Sequence, residues 1–150
     1  MFARKMVLLT CLTVASFAIQ PKPLMKKVVF SCKSGETVQF IRLLDHVTHL
    51  ENHYETTKTP HDIVVVAQGE CVKFMLNDYE GTRWDKEETP FEAELKLDKI
   101  KTKVRFEQCE NTLDRMGIPK TKLRDFVKKI PSATISVVDY QLDGYAIMSQ

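Results

Sequence analysis

Several motifs that would identify an enzyme or a metal protein are missing from this sequence of 150 residues. It has no Gly-x-Gly-x-x-Gly or Walker pattern, so we expect no nucleotide and no other cofactor. It also lacks the Cys-x-x-Cys and His-Glu-x-x-His pairs of built metal sites. No basic stretch with interleaved aromatic residues is present, which argues against nucleic acid as a partner.

The sequence has one long apolar run, and it lies near the N-terminus. Two basic residues precede the uncharged segment 6–18, which ends with the small residues Ser16 and Ala18. This pattern predicts a cleavable signal peptide over residues 1–18, because a bilayer-spanning helix needs about 20 apolar residues. An uncleaved anchor is the alternative. We therefore expect an exported protein, periplasmic in a Gram-negative bacterium, with one domain over 19–150.

Strand and helix signals alternate through the rest of the chain. A further helix can begin within 71–76, and residues 77–90 are expected to form a charged loop around Trp84. Alternation of this kind implies an α/β fold with a mostly parallel sheet of four to five strands and helices on both faces. Strands are predicted over 26–32, 62–67, 102–108 and 133–138, and helices over 37–54, 91–100, 109–116, 119–130 and 139–148.

The cysteines follow the predicted strands. Cys32 ends the first, Cys71 follows the second by a few residues, and Cys109 directly follows the third. The carboxyl ends of parallel strands meet at one edge of a sheet, where ligand sites form in such folds. Three cysteines remain after signal cleavage, so at least one lies outside any intramolecular disulfide.

Two segments of the chain resemble a known family. The segment VRFEQCENTLDRMGI carries a cysteine, then Asn-Thr-Leu, then a glycine, and the chain ends in SVVDYQLDGYAIM. Together with Gly69 after the second strand, these motifs resemble the DsrE/DsrF-like family of small α/β proteins. The matching positions are Cys109, Asn111, Thr112, Leu113, Gly117, Gln141, Gly144 and Tyr145.

The resemblance implies a three-layer αβα sandwich that assembles as a homo- or hetero-oligomer, often a trimer or hexamer, and we expect a homo-oligomer. It also implies that Cys109 relays sulfur as a persulfide, exchanged with a sulfur donor or acceptor protein. Asn111 and Thr112 would support this thiol, and Cys71 and Cys32 would be auxiliary thiols.

The chemistry of Cys109 leaves three alternatives open: a reactive thiol, a packed structural thiol, or a disulfide partner. The N-terminus of the following helix would lower the pKa of the thiol, because its partial positive charge favours the thiolate. The carboxylates of Glu107 and Glu110 would raise that pKa if they are close. Arg105 and Arg115 would offset them.

Three histidines share one face of the first predicted helix. His46, His49 and His53 are spaced three and four residues apart and face away from the apolar stripe, so they are weak candidates for a transition-metal site. A solvated, histidine-rich helix face is the favoured interpretation.

Three hypotheses of function follow. The leading one is an exported sulfur carrier or thiol-handling protein that acts through Cys109. The second is a non-catalytic oligomeric binding or assembly module, in which Cys109 only packs. The third is a histidine-based metal binder. Whether the protein is an enzyme stays open.

Overall fold

The computed structural model describes residues 24–149, so the predicted signal peptide lies outside the described residues. All five strands pair in parallel, in the order β4-β3-β2-β1-β5. Within the described part, no helix is both long and apolar enough to cross a membrane. The elements are β1 (Lys26–Cys32), α1 (Thr37–Thr56), β2 (His61–Ala67), a 3-10 helix (Gly69–Met75), α2 (Phe91–Ile100), β3 (Arg105–Cys109), α3 (Glu110–Met116), a second 3-10 helix (Lys120–Lys122), β4 (Val127–Ile130), α4 (Ala133–Leu142) and β5 (Ala146–Ser149).

Helices cover both faces of the sheet, as the α/β prediction requires. The larger core lies on the face of α1 and α2, where strand residues such as Phe30 and Phe106 are almost fully buried. A smaller core lies on the face of α4 and contains Val29, Val64 and Val66. Successive side chains of a strand point to opposite faces. The valine run 64–66 of β2 therefore contributes to both cores, with Val65 in the larger one.

The helix predicted over 119–130 is wrong. The chain forms the short 3-10 helix Lys120–Lys122 and then β4, whose Val127 and Ile130 lie beside Phe106 and Cys109 of β3. The three-residue spacing of Val127 and Ile130 suits a helix, but in the strand it sends one side chain into each core. Pairing with β3 therefore overrides the local helical spacing.

The strand predicted over 133–138 and the helix predicted over 139–148 are also wrong. Residues 133–142 form α4, and β5 follows at the edge of the sheet. The Ser132 hydroxyl accepts the Ile135 N–H and caps this helix. Ala133, Val137 and Tyr140 recur at helical spacing on the smaller core, which outweighs the strand preference of the β-branched residues.

A disulfide joins Cys32, at the end of β1, to Cys71, in the 3-10 helix after β2. Their Cα atoms are 5.8 Å apart and 39 residues separate them in sequence. A cross-link that closes a loop of this length stabilises the fold by roughly 4 kcal/mol, on the model in which it restricts the unfolded chain. Neither cysteine is a free thiol in this state.

The loop predicted over 77–90 is irregular but anchored. Trp84 is buried and packs near Tyr79, with ring centres 6.4 Å apart. An ion pair of 3.0 Å links Glu87 to the largely buried Lys73, and Arg83 pairs with Glu70 at 2.8 Å. Trp84 is therefore part of the larger core and anchors this charged segment to it.

His61 forms an ion pair with the buried Glu51 at the opposite edge of the sheet from the cysteines. Its Nδ1 lies 2.8 Å from the Thr59 carbonyl, which can only accept, and its Nε2 lies 2.8 Å from a carboxylate oxygen of Glu51. Burial lowers the pKa of His61, but the hydrogen bonds to Thr59 and Glu51 outweigh it, so the net pKa is raised. The protonated imidazole satisfies both acceptors.

This pair makes a pH-dependent contribution to stability. A folded-state pKa above the unfolded value means that the contribution is complete below about pH 6.5 and is lost as the pH rises through the folded pKa. We expect the difference in free energy of unfolding between wild type and His61→Gln to be larger at about pH 6 than at about pH 8. Urea unfolding at both pH values measures it. An equal difference in free energy of unfolding at both pH values would show that Glu51 does not favour the charged form of His61.

Candidate thiol site

Cys109 ends β3 and directly precedes α3, for which it is the N-cap residue. Alternation along β3 sends its side chain onto the α4 face, where it packs with Val66, Ile130 and Ala133. It is 5% exposed. Within residues 24–149 it is the one free cysteine, so the disulfide-partner alternative does not hold in this structure.

Two helices begin beside Cys109. The α3 helix starts at the next residue, and α4 starts three residues after Ile130, the partner of Cys109 in the sheet register. The Asn111 N–H donates to the Pro131 carbonyl at 3.4 Å and ties the two helix starts together. Unpaired N–H groups and a partial positive charge gather where helices begin, so both helices favour an anion at this position.

Hydrogen bonds to the sulfur set the pKa of the Cys109 thiol. Burial raises this pKa, because it disfavours the thiolate. Hydrogen bonds from the Ala133 backbone, from the Thr112 hydroxyl, and from the backbones of Thr112 and Asn111 lower it. Their combined effect is the larger one, so the pKa of Cys109 lies below its ordinary value.

Neighbouring carboxylates are engaged with other groups. Glu110 pairs with Lys120 at 2.9 Å, at the start of α3. The buried Glu107 accepts the Tyr140 hydroxyl at 2.9 Å and has a lysine ammonium, that of Lys128, at 3.8 Å. These partners therefore at least partly compensate the negative charges of Glu107 and Glu110 beside the thiol.

A cavity of about 430 Å³ opens beside the sulfur. Gln68 after β2 lies on one side of it, and the first turn of α4 lies on another. A small reagent can reach the buried thiol through this cavity. Its lining residues are Gln68, Cys109, Asn111, Thr112, Asp114, Arg115, Ser132, Ala133 and Thr134.

The structure brings Cys109, Asn111 and Thr112 together, as the sequence motif predicts. Sequence reasoning misses the contribution of Ser132, Ala133 and Thr134, because it predicts a strand that begins at Ala133 where the structure has the start of α4. A serine directly after Pro131 and before helically spaced apolar residues is the N-cap signal that could have found them.

Cys32 and Cys71 lie at the same edge of the sheet as Cys109 but on its other face. The register aligns Cys32 with Ala67 and Gln108, and the side chain next to Gln108 along β3 points the opposite way. Accordingly, Cys32 and Cys71 belong to the larger core and Cys109 to the smaller one. The backbone of the sheet therefore separates the disulfide from the side chain of Cys109.

The histidines of α1 do not assemble a ligand set. In the part of the chain that the structure describes, no group of three or more His, Cys, Asp or Glu side chains is arranged to hold a metal ion. This includes His46, His49 and His53, and the nearby His61 is committed to Glu51.

Tyr145 of the C-terminal motif lies away from the thiol. Its hydroxyl donates to Asp62 at the start of β2, and Arg105 at the start of β3 binds the same carboxylate at 2.7 Å. The Arg105 guanidinium also lies 3.3 Å from the Tyr140 hydroxyl. This network joins α4 and the turn after it to the opposite edge of the sheet, so this part of the motif is structural.

A family model describes this architecture and its motifs. The DsrE/DsrF-like family model matches residues 26–149. The chain belongs to the DsrE/DsrF-like family. The comparison with curated proteins found no match.

Solved structures share the fold of this family member. A protein of unknown function from Methanobacterium thermoautotrophicum, MTH1491, is 23% identical with a TM-score of 0.67, over 83% of this chain and 99% of that one. The ychN protein of E. coli is 15% identical with a TM-score of 0.54, over 84% and 100%. A conserved protein of unknown function from Bacteroides thetaiotaomicron, BT1422, is 14% identical with a TM-score of 0.58, over 83% and 95%.

The lowered pKa predicts that Cys109 reacts as a thiolate at a lower pH than an unperturbed cysteine does. We expect the pH midpoint for its alkylation by iodoacetamide to be lower in the folded protein than in the same protein unfolded in urea with its disulfide intact. Mass spectrometry of the Cys109 peptide measures both profiles. A folded midpoint at or above the unfolded one would mean that burial outweighs the hydrogen bonds.

Proposed function

We propose that this protein carries sulfane sulfur as a persulfide on Cys109. The observation that carries the proposal is the position of Cys109, the one free thiol of the described residues, which caps α3, lies beside the start of α4 and lines a cavity. The lowered pKa of this thiol agrees with that position. A thiolate, rather than a thiol, accepts and donates sulfur. Membership in the DsrE/DsrF-like family, which is linked to sulfur relay, supports the same chemistry.

The proposed transfer moves one sulfur atom without net oxidation. The Cys109 thiolate attacks the outer sulfur of a donor persulfide, R–S–SH, and forms a new S–S bond. The donor S–S bond breaks and R–S⁻ leaves, while the proton stays on the transferred sulfur. The resulting persulfide exchanges this proton with solvent. In the protonated form, an acceptor thiolate attacks the outer sulfur, the S–S bond to Cys109 breaks, and the Cys109 thiolate is regenerated.

The proposal places this carrier outside the cytoplasm. A disulfide between Cys32 and Cys71 persists in an oxidising compartment such as the periplasm and is rare in a reducing one. The signal-peptide pattern of residues 1–18 supports the same location. The burial of Cys109 helps such a carrier, because it hinders pairing of the thiol with cysteines of unrelated proteins.

Treatment with a small persulfide tests the proposal. Folded protein is incubated with glutathione persulfide, trapped with iodoacetamide and mapped by mass spectrometry without reduction. We expect one added sulfur atom on the Cys109 peptide and none on the Cys32–Cys71 pair, because only the former offers a thiolate.

The matched controls are Cys109→Ser and wild type alkylated at Cys109 beforehand. Both should take up no sulfur. An unmodified Cys109 in wild type, or equal uptake by Cys109→Ser, would contradict sulfur carriage and favour the alternative in which Cys109 only packs.

We also propose that the protein assembles as a homo-oligomer, a trimer or a hexamer. The outer face of α4 exposes Ile135, Val138 and Leu142, which are 63%, 50% and 81% accessible. Their spacing of three and four residues aligns them in one apolar stripe. The adjacent edge strand β5 is exposed along its whole length. A second copy that covers the stripe would remove this apolar surface from water.

The molar mass in solution tests the assembly. By light scattering, we expect wild type to have a multiple of the chain mass and Ile135→Glu/Leu142→Glu to be a monomer. Val38→Glu replaces an exposed apolar residue of α1 and is the matched control, which should assemble like wild type. A monomeric wild type, or an assembly indifferent to the α4 variant, would contradict a role for this stripe.

A further inference from the structure

Thr112 connects the sulfur of Cys109 to the loop that follows β2. Its side chain is fully buried in the first turn of α3, where no solvent reaches the hydroxyl. Its Oγ1 accepts the Gly69 N–H at 3.4 Å. A hydroxyl has one hydrogen to donate, and an N–H can only donate, so this contact leaves the Thr112 hydrogen for another acceptor. The Cys109 side chain is the neighbour placed to receive it, because Thr112 lies in the first turn of the helix that Cys109 caps and both residues line the same cavity. The Thr112 side chain also lowers the pKa of this thiol.

Gly69 is held in place by backbone contacts to the end of β1. Its φ of 57° lies in the left-handed region, and an added Cβ would come within 3.3 Å of the Lys33 carbonyl oxygen. On either side of it, the Gln68 N–H donates to the Cys32 carbonyl at 3.0 Å and the Cys71 N–H donates to the Lys33 carbonyl at 3.2 Å. These contacts join the same two segments as the disulfide.

The disulfide is the covalent part of this junction. It links Cys32 to Cys71, two residues after Gly69, and both half-cystines are buried. Apart from the disulfide, the backbone hydrogen bonds from Gln68 and Cys71 hold the first turn of the 3-10 helix to the end of β1.

We propose that the Cys32–Cys71 disulfide is a positioning element for Cys109. By fixing the first turn of the 3-10 helix, it holds the Gly69 N–H on Thr112 Oγ1 and thereby points the Thr112 hydroxyl at the sulfur. Without the disulfide, Gly69 is held less firmly, the Thr112 hydroxyl is free to rotate, and the Cys109 thiolate is less stable and slower to react. The disulfide on one face of the sheet thus affects the reactivity of the Cys109 thiol on the other face.

The charged groups around the thiol do not depend on the disulfide. Asp114 and Arg115 of α3 line the cavity, and Glu107 lies on the same face of β3. Glu110 begins α3 and is paired with Lys120. The first turn of α4 carries no acidic residue. The contacts that Glu110 makes with Lys120 and Glu107 makes with Tyr140 do not involve Cys32 or Cys71. A change that follows removal of the disulfide therefore reports on the contact between Gly69 and Thr112.

The proposal deepens the proposed function, since it concerns the same thiol, but its test requires no sulfur transfer. The rate of iodoacetamide alkylation is measured across pH on the Cys109 peptide, in folded protein. The variants are Cys32→Ala/Cys71→Ala, Thr112→Val, Thr112→Ser and the combination of Thr112→Val with the two alanines. Thr102→Val, an exposed position away from the cavity, is the matched control.

We expect removal of the disulfide to shift the alkylation profile to higher pH and to slow the reaction at neutral pH by about threefold to tenfold, as for a weakened hydrogen bond to an anion. Thr112→Val should give a shift of at least this size, and Thr112→Ser should restore the profile because it keeps the hydroxyl. In the Thr112→Val background, removal of the disulfide should add little, because both changes act on one connection.

Three results would overturn the proposal. The first is a folded, disulfide-free protein with the alkylation profile of wild type. The second is a slowing by the same factor with and without the Thr112 hydroxyl, which would mean that the disulfide acts by another route. Circular dichroism checks the fold, and sucrose can be added to stabilise it. Thr112→Val keeps the disulfide, so an unchanged profile in this variant alone would also refute the proposal.

Discussion

The Cys32–Cys71 disulfide is the constraint on which the thiol site depends. It joins the end of β1 to the 3-10 helix after β2 and so fixes two of the loops at the carboxyl edge of the sheet. It also removes two of the cysteines at this edge from thiol chemistry. Cys109 is then left as the one free thiol of the described residues, where α3 begins and beside the start of α4. The pairing of Cys32 with Cys71 and the free state of Cys109 therefore follow from one arrangement.

Parallel pairing and side-chain alternation explain why the disulfide and Cys109 lie at one edge of the sheet but on opposite faces. Parallel strands bring all three cysteines to one edge, as ligand sites in such sheets require. Alternation then sends Cys32 and Cys109 to opposite faces. Cys109 lies on the face covered by α4, whose first turn contributes a donor and part of the cavity wall.

The sequence predicts the first part of the fold well, because its periodicities are strong there. β1 and α2 have the predicted bounds, and α1 and β2 differ from the predicted ranges by one or two residues. Prediction fails after residue 118, where the spacing of Val127 and Ile130 suits both a helix and a two-faced strand. The β-branched run of α4 likewise favours a strand locally, although packing against the sheet makes it a helix.

These errors limited what could be predicted of the site. The motif at Cys109, Asn111 and Thr112 is local and was found from the sequence alone. The donor from α4 was missed with its helix. The pairing of Cys32 with Cys71 depends on the approach of two loops 39 residues apart, which no local pattern specifies. Arg105, which the sequence offers as a counter-charge, lies 3.5 Å from Glu107. The other partners, Tyr140 of α4 and Lys120 of the second 3-10 helix, depend on tertiary contacts that no local pattern specifies.

The most direct measurement is the covalent state of the three cysteines in protein recovered, without reduction, from the cells that make it. Thiols are blocked at harvest and the peptides are mapped by mass spectrometry. The account predicts that Cys32 and Cys71 are joined to each other, and that Cys109 is present as a thiol or a persulfide. A disulfide between Cys109 and either of them, or free thiols at both Cys32 and Cys71, would contradict it.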